Sequence, residues 1–200
     1  MQQKKIITVF VLIAAAVLSC VDVSYFNDVL LNHTGTLVIL CLLGWDIYKR
    51  FFSYTSFFCI SIFCLFHILG ARYLYSFVPY NEWAVNLIGW DADAYFGFAR
   101  NHYDRLVHFL FGILAFPPMV EIFSRKQNLK FMHSVLFTWL CIQSFSMVYE
   151  LIEWGAALVL SERSAENYNG QQGDVWDAHK DMALALLGSG IMFLRYLLKR

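Results

Sequence analysis

The sequence predicts an all-α protein: a polytopic transmembrane helix bundle of about six spans, with both termini cytoplasmic. Three observations predict it. Hydrophobic residues make up 59% of the 200 and aromatic residues 18%, and the mean hydropathy of +0.53 lies far from a soluble globular norm. Six apolar stretches, about 6–22, 30–48, 52–74, 103–123, 131–160 and 175–198, are long enough to cross a hydrocarbon layer ~30 Å thick. Finally, with the amino terminus inside, 10 of the 15 Lys and Arg residues fall on the inner side, from Lys4 and Lys5 through Arg125 and Lys126 to Lys199 and Arg200. That bias follows the positive-inside rule. No internal repeat or low-complexity linker interrupts the pattern, so residues 1–200 read as a single integral membrane domain.

The first stretch combines Lys4-Lys5, an apolar core and Val17-Leu-Ser-Cys20, which together look like a secretory or lipoprotein signal. Leu18 fits a lipoprotein cleavage box poorly, so the expectation is an uncleaved first span, with lipidation at Cys20 the alternative. The second span is short and carries His33 and Asp46. The third holds His67 seven residues before its end at Leu74. The five cysteines, Cys20, Cys41, Cys59, Cys64 and Cys141, all sit in apolar segments. They read as structural thiols, without a disulfide framework or a zinc pattern.

An outer loop at about 75–102 mixes Pro79, Asn81, Glu82, Asp91 and Asp93 with Trp83, Trp90, Tyr95 and Phe96. Amphipathic rings beside polar groups suit the headgroup zone. The expectation is a short surface-lying helix or a lid, with a plain aromatic anchor as the simpler reading. The fourth span opens on Arg100-Asn-His-Tyr-Asp-Arg-Leu-Val-His108, where Asp104 and His108 are four apart and share a helical face. Such a pair serves as metal ligands, as a carboxylate-oriented base, or as a simple hydrogen-bonded couple. Pro117-Pro118 removes two backbone donors, so the helix is expected to kink or end near its inner end.

The fifth span carries Glu150 and Glu153 on one face of an apolar helix. Buried carboxylates require protons, arginines or a cation. Before the sixth span, Asp174, Asp177 and Asp181 share a stripe at i, i+3 and i+7. Asp174 and Asp177 also suit the capping of a helix amino terminus, but Asp181 lies too deep for that role. At 1.5 Å per residue, His108, Glu153, Glu150, Asp181 and His67 lie at roughly 7, 10, 15, 9 and 10 Å from the outer helix ends. Polar groups in a bundle face inward. The expectation is therefore one pocket open to the outer side, ringed by His67, Asp104, Arg105, His108, Glu150, Glu153, Asp174, Asp177 and Asp181, with Trp176 among its pocket residues. Arg105 and Arg72 would balance part of its charge.

The segments Arg100 to Phe109, Tyr149-Glu-Leu-Ile-Glu-Trp154 and Gln172 to Met182, with His67 to Tyr75 followed by Pro79, resemble the YjdF family of bacterial inner-membrane proteins. The likeness covers roughly residues 65–190 and implies a multi-pass protein of the bacterial inner membrane, from a family without an assigned activity. Two positions depart from the family pattern, Arg72 where histidine is common and His179 where glutamine is common. More distantly, Asp104-Arg-x-x-His108 with a later membrane glutamate and Asp181 is similar to VanZ-like proteins.

Three functions compete. One is a membrane enzyme acting at the outer leaflet on a lipid or lipid-linked substrate, with a divalent cation as candidate cofactor. Its ligands would be His108, Asp104, Glu150 and Asp181, with Glu153 and Asp177 the candidate acid/base residues. The second is a proton-coupled transporter that titrates Glu150, Glu153 and His67. The third is a non-catalytic factor whose polar cluster packs the helices in the lipid bilayer. Balanced charge, with no basic patch beyond the inner face, gives no reason to expect nucleic acid.

Overall fold

The structure, a computed structural model, describes residues 2–198. Lys199 and Arg200, counted above with the inner-face charges, lie outside the described residues. The membrane-length helices are α1 (Gln2–Ser19), α2 (Phe26–Lys49), α3 (Tyr54–Arg72), a broken span made of α6 (Tyr103–Leu114) and α7 (Phe116–Glu121), α8 (Phe131–Val159) and α10 (Asp177–Leu198). Between α3 and α6 lie the short helices α4 (Tyr80–Ile88) and α5 (Ala92–Phe96), and between α8 and α10 lies α9 (Glu162–Asn169). Six spans are thus long and apolar enough to cross a membrane. Among the described residues there is no strand.

The fourth span breaks at Ala115, directly before Phe116-Pro117-Pro118, because prolines fit the first turn of a helix and not its interior. A π-turn, Ile122–Lys126, then closes the carboxyl end of this span. The loop expected to lie on the surface contains α4 and α5. Asp91 caps α5 by accepting from the Ala94 amide, and Asn81 ties the two helices together through the Ala92 amide at 2.8 Å. Helix α9 was not foreseen. Its start is set by Ser161, which accepts from the Ser164 amide, and its end by Gly170, whose φ of 63° suits a residue without Cβ.

Buried acids fasten the end of the bundle that carries Lys5 and Glu121. Asp46, wholly inaccessible, binds Lys5 at 2.6 Å and the Phe52 amide at 2.6 Å, and Lys5 also donates to the Phe52 carbonyl at 2.8 Å. Glu121 accepts from the Ser53 amide at 2.9 Å, from the Ser56 hydroxyl at 2.6 Å and from Arg125 at 2.9 Å. These bonds lock α1, α2, α3 and α7 at one level. They also satisfy two carboxylates that would otherwise be costly in lipid.

Three apolar clusters fill the rest. Leu12, Leu43, Phe57, Cys64 and Ile68 join α1, α2 and α3. Phe116, Val120, Val135, Ile142 and Met192 join α7, α8 and α10. Tyr75, Val78, Tyr103 and Val107 stitch the halves together, helped by the Tyr103 hydroxyl, which donates to the Phe66 carbonyl at 2.9 Å. The tightest helix contact is between α6 and α10. A Cβ on Gly188 would collide with the Phe109 carbonyl, and one on Gly112 with the Ala185 carbonyl and the Ser189 amide. The two backbones touch, which in lipid is the main source of helix association. Gln143 of α8 adds a 2.8 Å hydrogen bond to the Ser189 hydroxyl on the same stripe.

Candidate functional site

The α6–α10 contact brings the first turns of the two helices to the same level. Asp104 and His108, stacked on one face of α6, meet Asp181 of α10. One ligand atom from each of the three lies within 4.8 Å of the other two. His108 Nε2 is 3.7 Å from Asp104 Oδ1 and 3.5 Å from Glu150 Oε1 of α8. Glu150 thus stands beside the three-residue set without joining it. All four are buried, as is Glu153 one helical turn along α8. Asp181 Oδ1 and Glu150 Oε1 have no hydrogen-bond partner although both are sealed from solvent.

One turn further out, a layer of ion pairs covers the cluster. Arg100, in the loop before α6, binds Asp177 at 2.6 Å and reaches the Gln171 and Gly170 carbonyls at 2.9 and 3.0 Å. Arg105 binds Asp174 and stands 3.3 Å from Asp177. Lys180 holds Asp174 from the other side at 2.6 Å. The Lys180 hydrogen bond, with the Trp176 amide and Arg105, keeps the Asp174 carboxyl well below the usual carboxylate range. Burial and the nearby arginines push His102 down, and its ring stacks on Phe98 with centroids 3.9 Å apart. Gln172 pins the loop by accepting from the Asn101 amide at 2.9 Å.

The expected pocket is therefore closed and not open to the outer side. Asp174 and Asp177 mainly serve the two arginines, though Asp174 also accepts from the Trp176 amide at 3.1 Å in the manner of a cap. Asp177 is held by two guanidinium groups, Arg100 at 2.6 Å and Arg105 at 3.3 Å. Trp176 lies outside the enclosed cluster, 60% exposed and edge-on to His179. Arg72 is remote from the acids. It caps α1 by donating to the Leu18, Ser19 and Val21 carbonyls, where a cation meets the negative end of the helix. His67 shares the depth of the cluster but leans toward α2. Its Nδ1 pairs with the Tyr75 hydroxyl, and its ring fills the space that a Cβ on Gly35 would occupy.

Tyrosines were missing from the sequence reading of this region. Burial, with Asp104, Tyr103, Glu153 and Tyr168 nearby, pushes the Tyr75 phenol well above its ordinary range. Tyr168 of α9 is raised by burial and by Glu153. Tyr149, one residue before Glu150, lies edge-on to His108 with ring centroids 5.8 Å apart. Its position four residues before Glu153 was the available signal, since i and i+4 share a face. Arg100 was also missed: four residues before Asp104, it reads locally as that residue's partner, whereas it binds Asp177 instead.

A six-span helical bundle with buried acids and a histidine under an ion-pair layer is a multi-pass membrane protein. Comparison with known families is specific: the family described as "Predicted membrane protein (DUF2238)" matches residues 5–200, and the chain belongs to it. Inner membrane protein YjdF of Escherichia coli (strain K12) is 36% identical over 123 residues, which is 61% of this chain and 54% of that protein. The chain thus spans about half the length of this curated relative. No solved structure matches the chain significantly. The resemblance to the YjdF family seen in the motifs holds, and the chain is a multi-pass protein of the bacterial inner membrane.

Proposed function

We propose that Asp104, His108 and Asp181 hold a divalent cation, and that the protein uses it as a membrane enzyme on a lipid or lipid-linked substrate at the outer leaflet. The observation that carries this reading is the convergence of three buried ligand atoms within 4.8 Å, from two helices whose backbones touch. Two carboxylates and one imidazole suit a hard or borderline divalent ion. The unpartnered oxygens of Asp181 and Glu150 support it, because a cluster serving only to pack helices would satisfy its own polar atoms. Both arginines nearby form their ion pairs with Asp174 and Asp177, and among the described residues none of the acids below forms a direct ion pair with Arg or Lys.

A bound cation would supply Lewis-acid polarisation of a phosphoryl or acyl oxygen. The chain's own residues would do the rest. Glu150, beside His108, would complete the ligand set or position a water. Glu153, a turn away among tyrosines, would serve as the base. The Arg100 and Arg105 layer would admit an anionic headgroup by exchanging Asp174 and Asp177 for phosphate. A transport path has less support. The inner-end acids, Asp46 and Glu121, are taken up by Lys5, Arg125 and serine groups and do not continue the outer cluster.

The test is the metal content of purified protein by mass spectrometry, with Asp181→Asn and His108→Ala alongside. The wild type should carry a stoichiometric divalent cation. Each variant should lose more affinity than the roughly 10–100-fold associated with an outer-shell residue. A folded wild type that stays metal-free when offered magnesium, manganese and zinc defeats the proposal. Glu153→Gln should keep the cation while turnover of lipid substrates disappears.

A further inference from the structure

We propose a second site, on the α1–α3 flank, that binds one phospholipid bearing a phosphate and a primary ammonium, the headgroup chemistry of phosphatidylethanolamine. Two adjoining cavities define it. A groove of about 590 Å³ runs between the helices, walled by Ala15, Leu18, Leu65, Ile68 and Leu69 and ending at Asp22 and Arg72. A smaller cavity of about 240 Å³ shares Asp22 and Arg72 and continues past Ser24, Tyr25 and Tyr73. An apolar trough that ends in a charged mouth has the layout of an acyl chain below a headgroup.

Charge at the mouth selects the occupant. Arg72 gives Nη1 to the end of α1 at 3.0 to 3.3 Å. Its Nη2 and Nε donate to no group among the described residues. They are left for a phosphate, which guanidinium recognises with two parallel hydrogen bonds. Asp22, exposed and with no ion pair or hydrogen bond among the described residues, lines both cavities beside Arg72. It suits a primary ammonium and repels a headgroup that carries only negative charge. The seven helical steps from Leu65 to Arg72 give the groove a depth of about 10 Å, enough for the first part of an acyl chain below the glycerol. The outer end of α3 sets the mouth at the level of the headgroups. This site shares no residue with the Asp104, His108 and Asp181 cluster and does not depend on its function.

The experiment titrates the full chain in detergent with dioleoyl phosphatidylethanolamine or dioleoyl phosphatidylglycerol and reads bound lipid by native mass spectrometry. The ethanolamine lipid should be retained over the glycerol lipid by roughly tenfold, the size of one charge-assisted hydrogen bond. Asp22→Asn should remove that preference and leave binding itself. Leu65→Trp, at a side chain 45% exposed on the groove wall, should weaken both lipids alike. If Leu65→Trp lowers the lipid-free melting temperature, Leu18→Trp on the facing wall replaces it. Equal retention of the two lipids by the wild type, a preference unchanged in Asp22→Asn, or full retention in the tryptophan variant each overturns the proposal.

Discussion

Asp174 shows how one residue governs the cover of the site. Lys180, the Trp176 amide and Arg105 all favour its charged form, so its folded pKa lies below its unfolded value of about 3.9. A group shifted in that direction contributes its stabilisation fully above the unfolded value and loses it as pH falls through the folded one. The ion-pair layer should therefore stay intact from neutral pH through the ordinary carboxylate range and open only in stronger acid. Trp176 provides the readout, since its amide donates to Asp174 and its ring is exposed. In a His179→Gln background, which removes the imidazole edge-on to Trp176, the fluorescence difference between the Trp176 protein and Trp176→Phe should be flat from pH 7 to about pH 4 and change only below that. A transition centred near pH 5 would mean that the carboxylate is not held as described.

Among the elements, the α6–α10 pair is least tolerant of change. A Cβ at Gly188 would meet backbone, which cannot rotate away as a side chain end can. Gly188→Ala should cost about 1–3 kcal/mol or more through overpacking, seen as a lower melting temperature in detergent. Gly190, with open space around its Cβ position, is the control, and Gly190→Ala should be near neutral. Equal melting of the two variants would refute the close contact. The break beside Pro117-Pro118 and a short helix in the 75–102 loop were legible in the sequence, since proline chemistry and aromatic–polar mixing are local signals, but the division of that loop into two helices was not. Helix α9 was not, because its eight residues are mostly polar and carry no apolar periodicity, leaving Ser161 as the cue to its start.

At the scale of the molecule, six spans and a shared depth for the acids followed from composition and rise per residue. Azimuth did not follow, and azimuth decided the site. Asp104, His108 and Asp181 converge, whereas His67 turns toward Tyr75 and α2. Long-range partners were equally invisible: nothing local marks Arg72 as the cap of α1, or Arg100 as the partner of Asp177 across 77 residues. The orientation with both termini cytoplasmic remains a proposal from the distribution of Lys and Arg. Cysteines introduced at Leu87 on α4 and at Gln127 after the π-turn should divide by side. A membrane-impermeant thiol reagent added outside intact cells should label Leu87→Cys above the wild-type background and leave Gln127→Cys unlabelled. The reverse pattern inverts the topology and moves the acid cluster to the cytoplasmic leaflet.

The touching backbones of α6 and α10 also bear on how the chain is made. Chains are synthesised from the amino terminus, so α6 leaves the ribosome with Asp104, Arg105 and His108 well before Asp181 exists. Its remaining residues, among them Leu106, Val107, Phe109 and Leu110, must favour insertion enough to carry those groups into the bilayer alone. The Gly112 stripe then waits, bare, for the last span to arrive. A chain interrupted after α8 should accordingly be a substrate for membrane quality control, because the final helix is what closes the assembly.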